Sequence, residues 1–180
     1  MQFSIIIPTR DRAVLLRKTL FGLQCQQYNS NEYEVIVVNN NPHDLHTSSI
    51  LADLMTTFPQ LRCLTEPRRG ASHARNLGCK HAKFKHLIFI DDDILVKPEF
   101  LQGYTAAWKK RPHARILGGP IYSQLEDGTF LNATQQRLLK ELPWCFAHHN
   151  NFKDATPISD TLTAFSANMS YRQKKMGTSI

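Results

Sequence analysis

The sequence predicts an α/β fold, a mostly parallel sheet sandwiched between helices. Three observations carry this reading: short runs that are apolar at every position, helix-period stripes between them, and polar clusters directly after the runs. A run apolar on both faces suits the interior of a parallel sheet, and a stripe at spacings of three and four suits a helix laid against it. Strand and helix patterns alternate four times, which is the signature of a sheet covered on both sides.

The elements follow in order. "FSIIIP", Phe3 to Pro8, is apolar until proline stops it and reads as a buried strand. From Arg12 to Gln27, leucines at 16, 20 and 23 mark one helix face. "EVIVV", Glu34 to Val38, repeats the strand signature; after the Asn41–Pro42 break, Leu51, Leu54, Met55 and Phe58 form the next helical stripe. "RCLTE" before Pro67 is a weaker strand, and Gly70 opens a helix to about Lys83. "LIFI" is the fourth strand. Pro98 to Arg111 is the fourth helix, with Phe100, Leu101, Tyr104 and Trp108 on its inner side. "RILGGPIY", Arg115 to Tyr122, adds a fifth strand. A short helix near Arg137 to Glu141 and an irregular stretch from Pro143 to Pro157 follow, and strand character returns at "AFSANMSY".

Size and charge bound the function. A chain of 180 residues suits a single domain, and with 21% charged and 42% hydrophobic residues it has a globular composition. No apolar run reaches the roughly 18 residues of a membrane span, and the N-terminus lacks a secretory signal pattern, so the expected compartment is cytoplasmic. Cys25, Cys63, Cys79 and Cys145 form no CxxC pair, and the positions of three of them in predicted elements suggest buried thiols without chemistry. The net charge of +7 asks for an anionic partner. Its basic residues are dispersed and lack the aromatic interleaving of a nucleic-acid platform, so no nucleic acid is expected.

The polar clusters say more. Pro8, Thr9, Arg10 and Asp11 follow the first strand, Asn39, Asn40 and Asn41 the second, and Asp91, Asp92 and Asp93 the fourth. Each alone reads as ordinary loop chemistry, since Asn-Pro turns and Thr-Arg-Asp caps are common. In an open α/β sheet, however, ligands bind beyond the carboxyl ends of the strands, and three strand ends here carry polar groups. Three adjacent carboxylates also repel one another unless solvent, a helix dipole or a cation offsets the repulsion.

Five ordered segments, "SIIIPTRDR", "VIVVNNNP", "GASHARNLG", "FIDDDILVKPEFL" and "SANMSYR", resemble the inverting family 2 type glycosyltransferases of the Rossmann-like GT-A fold. The resemblance covers nearly the whole chain. It implies transfer of a sugar from a nucleotide-sugar donor to a hydroxyl of a glycan or lipid-linked glycan. Pro8, Thr9, Arg10 and Asp11 would line the base pocket, with Asn39 on the base edge where the family more often has aspartate. An amide can accept from a pyrimidine N3–H and donate to a neighbouring carbonyl, which favours UDP or dTDP over GDP. Arg75 would lie beside the base or diphosphate, with a helix-surface, snorkelling arginine as the lesser alternative. Asp91 would touch the ribose, Asp91 and Asp93 would hold Mg²⁺ or Mn²⁺, and Asp92 would belong to the donor site in a role left open.

The general base is the missing part. The family carries it in a Glu-Asp pair beyond the late strand; this sequence ends at Ile180 and reads as truncated there, leaving Glu141, Asp154 and Asp160 as the acids that could substitute. The alternative is therefore a catalytically silent nucleotide-sugar-binding fragment. Two other classes fit less well. A haloacid dehalogenase phosphatase calls for Thr or Val where Leu95 stands, and a sugar nucleotidyltransferase needs a glycine-rich loop where "PTRDRAVLL" has no glycine. Finally, "QQRLLKELPWCFAHHN" reads as a helix packed on the sheet, or alternatively as a cover that contacts a lipid-linked acceptor or the peripheral membrane face through Trp144, Phe146 and Lys140.

Overall fold

The computed structural model describes residues 1–119 and 168–172. Its elements are β1 (Phe3–Thr9), α1 (Ala13–Gln24), β2 (Tyr33–Asn39), α2 (Leu45–Thr57), β3 (Leu61–Thr65), α3 (Ala71–His81), β4 (His86–Ile90), α4 (Phe100–Lys110), β5 (Ile116–Gly118) and β6 (Asn168–Arg172). The six strands form one sheet in the order β3-β2-β1-β4-β6-β5. β1 to β4 are mutually parallel, whereas β6 runs antiparallel to both β4 and β5.

The period of two along each strand divides the core. Ile5 and Ile7 of β1, Val35 and Val37 of β2, and Ile88 and Ile90 of β4 face a large cluster with Leu16, Leu20 and Leu23 of α1, Leu51 of α2, and Leu101, Tyr104 and Trp108 of α4. The alternate residues Ile6, Ile36, Val38, Leu87 and Phe89 form smaller clusters on the other face, where Ala74 of α3 packs. Helices thus cover both faces, as the sequence predicts. At Gly78 a Cβ would stand 2.5 Å from Ile6 Cγ2, so only glycine lets α3 lie this close to the middle of β1.

Chain direction creates the crevice. From β1 the chain steps outward to β2 and β3, then returns through α3 to the other side of β1 at β4. β1 is therefore the point where strand order reverses, and the splayed connections above it leave room for a ligand.

Some expectations shift. Met55, placed on the inner stripe of α2, is 40% exposed, while Leu51 and Phe58 alone of that stripe are fully buried. The thiols are less buried than expected: Cys25 lies just past the end of α1 and is exposed, and Cys63 and Cys79 are half-buried. Burial still pushes the Cys63 and Cys79 thiols up, which disfavours thiolate chemistry. Cys145, Glu141, Asp154, Asp160, Trp144, Phe146, Lys140 and the short helix near Arg137 lie outside the described residues.

Candidate active site

The loops after β1, β2 and β4 meet at the carboxyl end of the sheet, and hydrogen bonds lace them together. Asp11 takes a left-handed conformation at φ 57°, which an aspartate tolerates better than most residues. Its Oδ1 accepts from Asn41 Nδ2 at 2.7 Å, and Arg10 donates to the backbone carbonyl of Asn40. Arg10 and Asp11, expected at the base pocket, thus hold the β1 loop against the β2 loop. Pro8 is half-buried in β1, with Val38 beside it in register. Thr9 and Asn39 end their strands side by side, both buried. Asn39 Oδ1 accepts the backbone N–H of Asn41 at 3.0 Å, which closes the turn.

The three acids after β4 divide by environment. Asp92 is buried: its Oδ2 accepts from Thr9 Oγ1 at 2.7 Å, its Oδ1 from Arg12 at 2.9 Å, and its carbonyl from Thr19 Oγ1 at 2.9 Å. These bonds tie β4 to β1 and α1. Asp91 and Asp93 are open to solvent, with side chains 34% and 40% exposed against 5% for Asp92. Arg75 pairs with Asp91 Oδ1 at 2.8 Å, and Arg12 reaches Asp93 Oδ2 at 3.1 Å. The two arginines offset the mutual repulsion of the acids. Each outer acid keeps one oxygen without a hydrogen bond to any described residue. The buried Arg75 Nε likewise has no partner among the described residues.

Two residues carry more of the site than the sequence indicated, Arg12, which it did not name as a site residue, and Asn40, which it grouped with its neighbours. Arg12 stands at the N-cap of α1 without capping it and bridges Asp92 and Asp93. Asn40 is buried and three-fold bonded: Nδ2 donates to the carbonyls of Glu66 and Arg68 at 2.8 Å each, and Oδ1 accepts from Gly70 N at 2.7 Å. It fixes the loop that leads into α3 and hence Arg75. Glu66 braces the same loop. Its carboxylate takes hydrogen bonds from the side chain and the backbone N–H of Arg68, which hold its pKa down at about 2.

The donor set suits a hard divalent cation. Among the described residues no three His, Cys, Asp or Glu side chains are grouped to hold a metal alone. Two carboxylates with a free oxygen each fit an ion whose other ligands are water and substrate phosphate.

The model of the family described as "Glycosyl transferase family 2" matches residues 4–173. The chain belongs to this family. An uncharacterized glycosyltransferase of Haemophilus influenzae is 26% identical over 132 residues, which cover 73% of this chain and 43% of the relative. The GT-A fold is shared with TarS of Staphylococcus aureus, at TM-score 0.69 and 22% identity over 96% of this chain and 47% of that one. It is shared too with the mannosyltransferase PcManGT of Pyrobaculum calidifontis, solved in complex with GDP-Man and Mn²⁺, at TM-score 0.60 and 27% identity over 66% of this chain and 35% of that one. The chain spans less than half the length of these relatives.

Proposed function

We propose that this domain binds the donor in a metal-dependent inverting glycosyltransferase that moves a sugar from a pyrimidine nucleotide-sugar to a hydroxyl of a glycan or lipid-linked glycan. The observation that carries this is the meeting of Thr9, Asn39, Arg75 and the two solvent-facing acids at the strand-order reversal. In this reading Thr9 and Asn39 line the base end of the crevice. Asn39 Oδ1 has a second lone pair besides the one that Asn41 uses, so the amide can still accept from N3–H of uracil or thymine. Solved relatives of this fold are named with GDP-Man, UDP and UDP-GlcNAc, so the base preference rests on Asn39 and not on the fold.

Arg75 supplies permanent charge toward the diphosphate, and Asp91, whose Oδ1 accepts from Arg75 at 2.8 Å, would offer its other oxygen to a ribose hydroxyl. Asp91 and Asp93 would hold Mg²⁺ or Mn²⁺, which when bound stabilises negative charge on the departing nucleoside diphosphate. Asp92 keeps the crevice in shape through Thr9 and Arg12. Deprotonation of the acceptor needs a further base on the opposite side of the sugar.

Calorimetric titration with UDP, dTDP and GDP, each with and without Mn²⁺, tests the reading. UDP or dTDP should bind, and Mn²⁺ should tighten it. Equal affinity with and without Mn²⁺ removes the metal from the proposal, and a preference for GDP removes the pyrimidine.

A further inference from the structure

α1 buries one apolar stripe in the core and turns a second face, apolar and basic, to solvent. Ala13, Leu16, Leu20 and Leu23 are buried. On the outer side, Val14, Arg17, Lys18 and Phe21 recur at i, i+3, i+4 and i+7 and so share a face. With Leu95, from the loop after the acids, they line an open groove of about 450 Å³. Val14 is 61%, Phe21 67% and Leu95 61% exposed. Scattered surface apolar residues are normal, but three large ones converging on one groove mark a binding face. Its lining has two cations and no acid, and α1 contains no Asp or Glu at all.

We propose that this face docks on an anionic phospholipid bilayer, with Val14, Phe21 and Leu95 entering the interface and Arg17 and Lys18 meeting the lipid phosphates. Charge complementarity selects this occupant. A second copy of the chain would present the same cations and repel itself. A bilayer with anionic headgroups offers apolar depth and negative charge together, and the aliphatic stems of Arg17 and Lys18 can lie along the apolar stripe with their charged ends at headgroup level. The net charge of +7 adds attraction at longer range. No helix among the described residues is long and apolar enough to cross a membrane. This inference does not depend on the transferase reading.

Flotation of the 180-residue chain with vesicles tests it, using phosphatidylcholine alone and phosphatidylcholine mixed with phosphatidylglycerol. The chain should float with the mixed vesicles only. The double variant Arg17→Gln/Lys18→Gln should bind them about thirty-fold more weakly, at roughly tenfold or less per lost cation. Phe21→Ser should weaken binding about tenfold. Both variants should keep the circular dichroism spectrum and the nucleotide titration of the parent; if Phe21→Ser disturbs the fold, Leu95→Ser is the second reading of the same stripe. Absence of flotation with mixed vesicles overturns the proposal. So does undiminished flotation of the variants, or a dimer in sedimentation velocity that Phe21→Ser abolishes without any vesicle binding. A parent chain that floats with the mixed vesicles but binds no nucleotide in the titration would count against the transferase reading alone.

Discussion

At the amino end of the sheet, Glu34 accepts from Ser4 Oγ at 2.6 Å and the backbone N–H of Lys83 at 2.5 Å through Oε1, and from Arg62 at 2.8 Å through Oε2. Ser4 in turn accepts from the backbone N–H of Phe84 at 3.0 Å. At the carboxyl end, Asp91 and Asp93 also pair with arginines, but each leaves an oxygen facing solvent. Carboxylate and guanidinium therefore make a closed node at one end, completed by a hydroxyl and a backbone N–H, and an open one at the other. Burial and saturation mark a structural acid; exposure with spare lone pairs marks one available to a ligand. Asp92 sits among the site acids in sequence yet belongs by this measure with Glu34.

Substitutions can break or sharpen that contrast. Glu34→Ala leaves three donors without their acceptor and should cost about 2–4 kcal/mol in a denaturant titration. Asp92→Asn keeps the shape but removes the charge that Arg12 meets, and should cost about 1–2 kcal/mol while weakening nucleotide binding only through the altered crevice. Asp93→Asn should change stability by less than about 0.5 kcal/mol, because its side chain is exposed, yet abolish the Mn²⁺ enhancement of nucleotide binding. If Asp92→Asn and Asp93→Asn behave alike in both assays, the division by burial is wrong.

The smallest effect is in acid. Glu66 has an ordinary pKa of 4.5 when unfolded and about 2 when folded, so its contribution is complete above 4.5 and fades as the pH falls toward 2. Urea midpoints of the parent should decline across that window, and Glu66→Gln should flatten the decline. A variant that falls as steeply as the parent would place the acid sensitivity elsewhere.

Most of the fold could be read from the chain because β1, β2 and β4 each have an unbroken apolar middle and α1 keeps a clean period; Leu16, Leu20 and Leu23 lie where that period puts them. The convergence of three strand ends followed from the same logic. Partners chosen in three dimensions could not be read. Nothing local in "DDD" separates the buried Asp92 from its exposed neighbours, since the distinction comes from Thr9 and Arg12, more than 75 residues away. Asn40 looked interchangeable with Asn39 and Asn41, although only its side chain spans to the loop before α3. Cys25 missed its expected burial because it stands at the C-cap of α1, on the side opposite the Leu16, Leu20 and Leu23 stripe.

The direction of β6 has a consequence for the unassigned base. Asn168 pairs with Ile90 and Arg172 with His86, so the chain enters β6 beside the acids and leaves it at the far pole. Five residues of strand separate the two points by about 13 Å. A proton acceptor contributed by chain upstream of Asn168 sets out from the crevice, whereas one contributed downstream of Arg172 must first double back along the strand. That return takes at least about four extended residues. Strand polarity thus sets a minimum tether on any downstream base and none on an upstream one.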